Sequence, residues 1–387
     1  MSIIAERSQF NRFTYSSRVT RLKLLQEISA NEDFSVPAFL FFSHEATKVE
    51  SVSNLAKMAN DHLNDAPICR PCPVDEIFSL GLSFAGIFPT YIPNHQLSFH
   101  VNVQAGVEKV FNDNGRDIDY YYNVHRANIP SVTKERHLIM MELIHNLIIH
   151  GTAYVYPDII RTCYAVRPKG LTGETNLQVL SLGFDPTDTI NSSANTDRDI
   201  GYSVASKIRR PLNAILDVSE TPIDIEYLID SDQKLWIVQA RPISDAHLRL
   251  YQQVKSLNQK NLNNVNDSAL FNSCGEIKGE VYDMRNLRPC EVDRNRFIDK
   301  GAILLICHQQ HGFFSTKDLL KKVELEKISA RILIDHQNVR GSDHLQYLVA
   351  EDPNIAFSFQ SGSYENLELI DGDMVFLISD GVHLKRA

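Results

Sequence analysis

PIDIEYLIDSDQKLWIVQARPI, residues 222–243, reads as a β-hairpin with a polar inner face. Residues 223–229 alternate as one strand and 235–241 as the other, joined by the polar turn Ser231-Asp232-Gln233-Lys234. Folding the segment about that turn sets Glu226 opposite Gln239 and Asp224 opposite Arg241. Strand side chains alternate between faces, so these four share one face, and Ile225, Tyr227, Val238 and Ala240 share the other. A carboxylate beside an amide oxygen is a hard-oxygen pair suited to Mg²⁺. An arginine one pair along can grip a phosphate that the metal also touches. The same spacing also fits an edge hairpin carrying a solvated salt bridge.

The 387 residues suffice for two or three domains with proper cores. Apolar content is 43%, charged content 22% and net charge −9, which describes a soluble globular chain and disfavours a nucleic-acid partner. No apolar run reaches membrane-spanning length, and MSIIAERSQFNRF lacks the apolar core of a signal peptide. Those two features place the chain in the cytoplasm, away from membranes. The six cysteines are scattered as free thiols rather than as a disulfide framework. Cys69-Arg-Pro-Cys72 has CxxC spacing but no second ligand pair at metal distance, so a redox or zinc role is not the favoured reading.

Outward from the hairpin, RVTRLKLLQEIS (18–29) has helical periodicity, VPAFLFF (36–42) reads as a strand, and 44–63 reads as a helix. ICRPCPVDE (68–76) reads as a proline-broken loop, and LSFAGIFPTYI (82–92) as a glycine turn before a strand. The apolar run from His137 leads through His150-Gly151 into TAYVYP, which suggests two strands with a turn between them, and His145 and His150 at strand ends. Residues 171–201 look like a mobile loop region, and 202–218 like a helix. The polar, Asn/Gln-rich stretch 244–271 is the best linker in the chain. Beyond it, strands and helices alternate as in an α/β domain of about one hundred residues. The expected organisation is therefore a unit at 1–243, a linker at 244–271 and a smaller α/β domain at 272–387.

The order of ICRPCPVDE, SFAGIFPTY, HGTAYVYPD, the DIE…QARP hairpin and GSDHLQYLVAED…DGDMVFLISDG resembles the pyruvate phosphate dikinase and phosphoenolpyruvate synthase family. The resemblance runs along nearly the whole chain, and the hairpin is its most specific motif. It implies an α+β ATP-grasp unit of two lobes, followed by a smaller α/β swivelling domain that carries a phosphohistidine. It further implies that Glu226 and Gln239 bind Mg²⁺, and that Asp224, Arg241 and Arg70 work at the ATP phosphates. Thr90 stands at the family's threonine spacing after the SFAG turn. Arg21, with Lys23 nearby, stands where the family has a phosphate-binding lysine. Glu142 falls where the family has an adenine-side glutamine, and a core-edge carboxylate is an equal reading of it. In the second unit, His344 opens a helix in Gly341-Ser342-Asp343-His344, where the family's phosphorylated histidine lies. A helix N-terminus suits a phosphoryl group, and neutral imidazole is a competent nucleophile.

The activity this implies is ATP-dependent phosphotransfer. His344 takes a phosphoryl group from Mg²⁺-bound ATP, releasing AMP, and passes it to a small-molecule acceptor, with 244–271 as the swivel. Family members that act on pyruvate carry a further barrel of about 250 residues. The length here leaves no room for one, so the acceptor is expected to be another small molecule, or to sit on a partner subunit. Pro71 and Cys72 replace the family's small hydroxyl residues, Asp343 precedes the histidine, and glycines are missing before both Arg21 and His344. These differences favour an alternative: a catalytically weakened ATP-binding or regulatory protein.

Overall fold

A computed structural model describes residues 18–73, 90–112, 135–166, 178–182, 191–192, 198–219, 221–243, 275–284, 302–307, 331–335, 356–360, 369–379 and 384–386, with 248, 287 and 293. The chain divides into two compact units, one made of 1–160, 183–188 and 202–243, the other of 161–182, 189–201 and 244–387.

The first unit opens with α1 (Arg18–Ser29), β1 (Phe39–Phe42), α2 (His44–Val49), α3 (Val52–His62), β2 (Ile68–Pro73), α4 (Phe99–Asn112) and β3 (Arg136–Met141). The three strands form an antiparallel sheet in the order β1-β3-β2. Apolar residues of α3 and α4, among them Leu55, Ala59, Val103 and Val110, pack with Leu138 and Met140 of β3 in one buried cluster. Close approach of α4 to the sheet depends on Gly106: a Cβ there would overlap the Cys69 side chain.

Three local readings change here. The helix expected over 44–63 breaks in two, because Ser43 and Ser51 each cap a new start; their hydroxyls accept from Ala46 N at 3.1 Å and Asn54 N at 3.2 Å. Residues 68–73 form a strand and not a loop. Prolines 71 and 73 are tolerated because β2 is the outer strand of its sheet, where a missing N–H interrupts little. On its other side β2 meets, among the described residues, a short bridge, Cys69 to Tyr91, with paired backbone bonds of 3.0 and 2.9 Å. The turn expected at His150-Gly151 lies earlier, between β3 and β4 (Leu147–Val155), where Asn146 adopts a left-handed φ of 54°. His150 and Gly151 therefore sit inside a strand.

Strands β5 (Ile160–Val166), β6 (Gln178–Leu182) and β7 (Asn191–Ser192) follow, the last two pairing antiparallel inside the segment read as a loop. Helix α5 (Arg198–Ser219) matches its expected position and leads into β8 (Ile223–Asp230) and β9 (Leu235–Pro242). Strand β4 runs antiparallel to β8, and β8 to β9. In the β4–β8 register Gly151 lies opposite Tyr227, whose fully buried ring crosses directly over the glycine. A methyl at 151 would enter that ring. Gly151→Ala is expected to cost about 1–3 kcal/mol, the usual penalty of overpacking, read as a lower urea midpoint at unchanged slope; an unchanged midpoint would show that the ring is free to move.

In the second unit β10 (Gly275–Asp283), β11 (Ala302–Cys307), β12 (Arg331–Asp335) and β13 (Ala356–Gln360) run parallel in sequence order. β14 (Met374–Ser379) adds antiparallel to β10 and β15 (Leu384–Arg386) to β14, giving the order β13-β12-β11-β10-β14-β15. Parallel strands joined by intervening segments make this a mixed α/β chain, as the sequence suggests. Among the described residues no helix is long and apolar enough to cross a membrane.

Candidate functional site

The β8–β9 hairpin forms with Asp224 opposite Arg241, Ile225 opposite Ala240 and Glu226 opposite Gln239, the register expected from alternation. Past Glu226 the register slips by one residue, so Tyr227 faces Ile237 and Val238 is extra. The slip follows from the tip. The Asp230 carboxylate accepts from the backbone N–H of Asp232 at 3.0 Å and of Lys234 at 2.9 Å, and Gln233 takes a left-handed φ of 62°. The connection is thus one residue longer on the Asp230 side than the four-residue turn read from sequence. The bulge comes after the polar pairs, so their placement survives.

Glu226 is the centre of the site. Its Oε2 accepts from Arg70 Nη2 at 3.1 Å, and the same nitrogen donates to Gln239 Oε1 at 2.8 Å. Arg70 Nη1 also reaches Val238 O at 3.4 Å. The other carboxylate oxygen lies 3.2 Å from His150 Nε2, which must carry the proton to bond a carboxylate. Burial works to raise the Glu226 pKa, but Arg70 and His150 outweigh it and hold the carboxyl well below the usual range. Glu226 keeps 27% of its side chain exposed and Arg70 15%, so the pair is shielded without being sealed.

One pair along, Arg241 Nε donates to Asp224 Oδ2 at 2.6 Å, and both side chains are over nine-tenths buried. Such a pair locks the arginine's stem in place. The outer edge of β9 is covered in turn. Ser35 N donates to Leu235 O at 2.9 Å, Ile237 N donates to Ser35 O at 2.8 Å, and Arg21 Nε donates to Ala240 O at 2.9 Å. Arg18 Nη1 bonds Pro71 O at 3.0 Å, one residue from Arg70. Helix α1 therefore fixes β9 through Arg21 and the Arg70 segment through Arg18, and blunts an edge that would otherwise invite pairing.

Of the residues singled out in the sequence, Arg70, Asp224, Glu226, Gln239 and Arg241 lie on or against one hairpin face, and Arg21 is buried at its edge with 1% exposure. Lys23 is exposed on α1, about 200° around the helix from Arg21. Thr90 is exposed, next to the Cys69–Tyr91 bridge. The chain just beyond that bridge is held by the fully buried Asn102, whose oxygen accepts from Tyr91 Oη at 2.8 Å and Asn94 N at 2.7 Å. Glu142 is engaged locally, accepting from Asn64 Nδ2 at 2.9 Å and Ala38 N at 3.4 Å, which fits its core-edge reading. The SFAG turn, the 244–247 and 249–271 parts of the expected linker, and His344 lie outside the described residues.

Cys69 and Cys72 are buried thiols outside any disulfide, three residues apart on a strand, so they face opposite sides of it. Burial pushes the Cys69 thiol up to about 12, which leaves it neutral and inert. His150 is the site residue that the sequence reading placed wrongly. HGTAYV alternates polar and apolar, which puts His150, Thr152 and Tyr154 on one face, and pairing with β8 sets Thr152 opposite Glu226. The alternation was visible; the neighbouring strand was not.

Whether Glu226 and Gln239 suit a divalent cation can be judged from what already lies between them. A carboxylate oxygen and an amide oxygen converge on a single cationic nitrogen at 3.1 and 2.8 Å. The donors are hard oxygens and the guanidinium is a stand-in cation, so the pair fits Mg²⁺. Among the described residues no cluster of three His, Cys, Asp or Glu side chains is arranged as a metal cage. A two-ligand site of this kind draws its remaining ligands from water and phosphate.

No family model matches the chain, and no curated protein matches it. Among solved structures, it overlaps an L-amino acid ligase from Bacillus licheniformis (11% identity, TM-score 0.31, 60% of this chain and 44% of that one). It also overlaps a D-alanine-D-alanine ligase from Coxiella burnetii (8% identity, TM-score 0.32, 59% and 50%). A third is an N5-carboxyaminoimidazole synthetase from Staphylococcus aureus (14% identity, TM-score 0.30, 60% and 45%). The chain spans about half the length of these structures. Overlap of that extent assigns neither family nor activity, and the reading of the site rests on its own residues.

Proposed function

We propose that the chain binds Mg²⁺-ATP on the β8–β9 hairpin of an ATP-grasp-type unit and acts as an ATP-dependent phosphotransferase. The observation that carries the nucleotide part is the convergence of Glu226 and Gln239 on one cation, with the Arg241–Asp224 pair two residues along on the same face. Glu226 and Gln239 would hold Mg²⁺, which when bound neutralises and orients the polyphosphate. Arg241, held through its Nε by Asp224, and Arg70 from β2 would supply guanidinium groups to the phosphates. His150 holds the Glu226 carboxylate in the rotamer that faces Gln239.

The transfer part draws on the resemblance to the pyruvate phosphate dikinase and phosphoenolpyruvate synthase family. His344 would attack the β-phosphorus of ATP as a neutral imidazole, the bond to the α-phosphate oxygen would break to release AMP, water would release the γ-phosphate as inorganic phosphate, and the remaining phosphoryl would pass on to a small-molecule acceptor. ATP labelled at the β-phosphate tests this. Acid-labile label on the protein together with AMP is expected, and His344→Ala should remove the label. Label that persists in the variant would exclude His344 as carrier, and ADP in place of AMP would indicate a simpler kinase.

One observation favours a second reading, an ATP-binding regulatory protein. Arg21, where the resemblance expects a phosphate-binding lysine, is buried and bonds a backbone carbonyl of β9. Tight binding of a non-hydrolysable ATP analogue with no turnover would select it.

A further inference from the structure

We infer that this site takes up a divalent cation only together with a polyphosphate, because Arg70 already fills the cation position and needs an anion to leave for. The inference rests on the Mg²⁺-ATP reading and deepens it: the ligand is the metal–polyphosphate complex, and the free metal binds only weakly.

The geometry is specific. Arg70 Nη2 bonds Glu226 Oε2 and Gln239 Oε1 together, the two oxygens a metal would need. A metal can approach those oxygens only if the guanidinium withdraws. Withdrawal without compensation is unfavourable, because the side chain is only 15% exposed and would give up its carboxylate partner. Breaking one side of a shielded ion pair costs more than the pair's net worth. A phosphate arriving with the metal changes that balance. It offers Arg70 a bidentate acceptor as the metal takes over Glu226 and Gln239. His150 stays on Glu226 Oε1 throughout, so the carboxylate does not have to find a new orientation. Arg18, bonded to Pro71 O, anchors the strand next to Arg70, which leaves the exchange to the arginine side chain rather than the backbone. Exchange of one cation for another thus links metal affinity to nucleotide, and by reciprocity nucleotide affinity to metal.

The test is Mn²⁺ binding, followed by the paramagnetic signal of the free ion, on the full chain. Wild type without nucleotide is expected to bind Mn²⁺ weakly. Arg70→Met, which keeps the stem and removes the charge, is expected to bind Mn²⁺ without nucleotide about tenfold more tightly, the scale of one charge-assisted hydrogen bond. Adding Glu226→Gln should abolish that gain. Should Arg70→Met fail to fold, Arg70→Lys keeps the charge but not the two-oxygen grip, and a gain of several-fold is expected. Equal Mn²⁺ affinity in wild type and variants without nucleotide, or a gain that survives Glu226→Gln, would overturn the inference. A separate arm adds a non-hydrolysable ATP analogue to wild type. Failure of the analogue to bind would sink the nucleotide reading, whereas analogue binding without any Mn²⁺ gain in Arg70→Met would sink the exchange alone.

Discussion

Asp224→Ala is expected to destabilise the protein by about 3–5 kcal/mol, the cost of leaving a buried charge without its partner. The charge in question is Arg241, which is 4% exposed and donates to Asp224 at 2.6 Å. Both side chains are over nine-tenths buried, and Asp224 lies opposite Tyr154 on one side and Arg241 on the other. Replacing both partners together should cost less than Asp224→Ala alone, since the guanidinium that loses its carboxylate then disappears as well. Equilibrium urea unfolding of the two single variants and the double variant measures this. A double variant as unstable as the sum of the singles would show that the pair does not act as a unit.

The second large effect concerns Glu226→Gln, in ligand binding and in acid. Gln retains the shape but not the charge that draws a divalent cation, so Mg²⁺-dependent nucleotide binding is expected to fall about a hundredfold or more, as for loss of a charged ligand group. Stability should also change its pH profile. The Glu226 carboxyl is held well below its ordinary range in the folded chain. Its contribution is fully present above the unfolded-state value of about 4.3 and is lost as pH falls through the lower folded-state value. Wild type should therefore lose stability more steeply below about pH 4 than Glu226→Gln does, measured as melting temperature against pH. Parallel acid limbs would show that the Arg70 and His150 contacts contribute little.

How much of this was legible in the sequence depended on how local the signal was. Glu226, Gln239, Asp224 and Arg241 were readable because a hairpin fixes its partners by proximity, and a period of two then fixes the face. The bulge at Val238 was not readable: it arises from the Asp230-capped tip, whose left-handed Gln233 no residue type at 231–234 demanded. His150 was hidden for a different reason. Its face could be inferred, but its meeting with Glu226 depends on β4 pairing with β8, a contact between strands far apart in the chain. Strand β2 reads as a loop in the sequence because prolines usually exclude a strand, and only its outer position makes them harmless. Arg21 stands by register at the family's lysine position, and in the folded chain its Nε bonds the backbone of β9, a contact that helix periodicity does not reveal because it gives only a side chain's direction.

The platform on β8 and β9 can be seen or refuted in a crystal structure of the chain grown with Mn²⁺ and a non-hydrolysable ATP analogue. The expected result is an anomalous peak between Glu226 Oε2 and Gln239 Oε1, with Arg70 turned onto the phosphates and Arg241 still bonded to Asp224. Arg70 still bridging Glu226 and Gln239, with metal and nucleotide bound elsewhere, would contradict it.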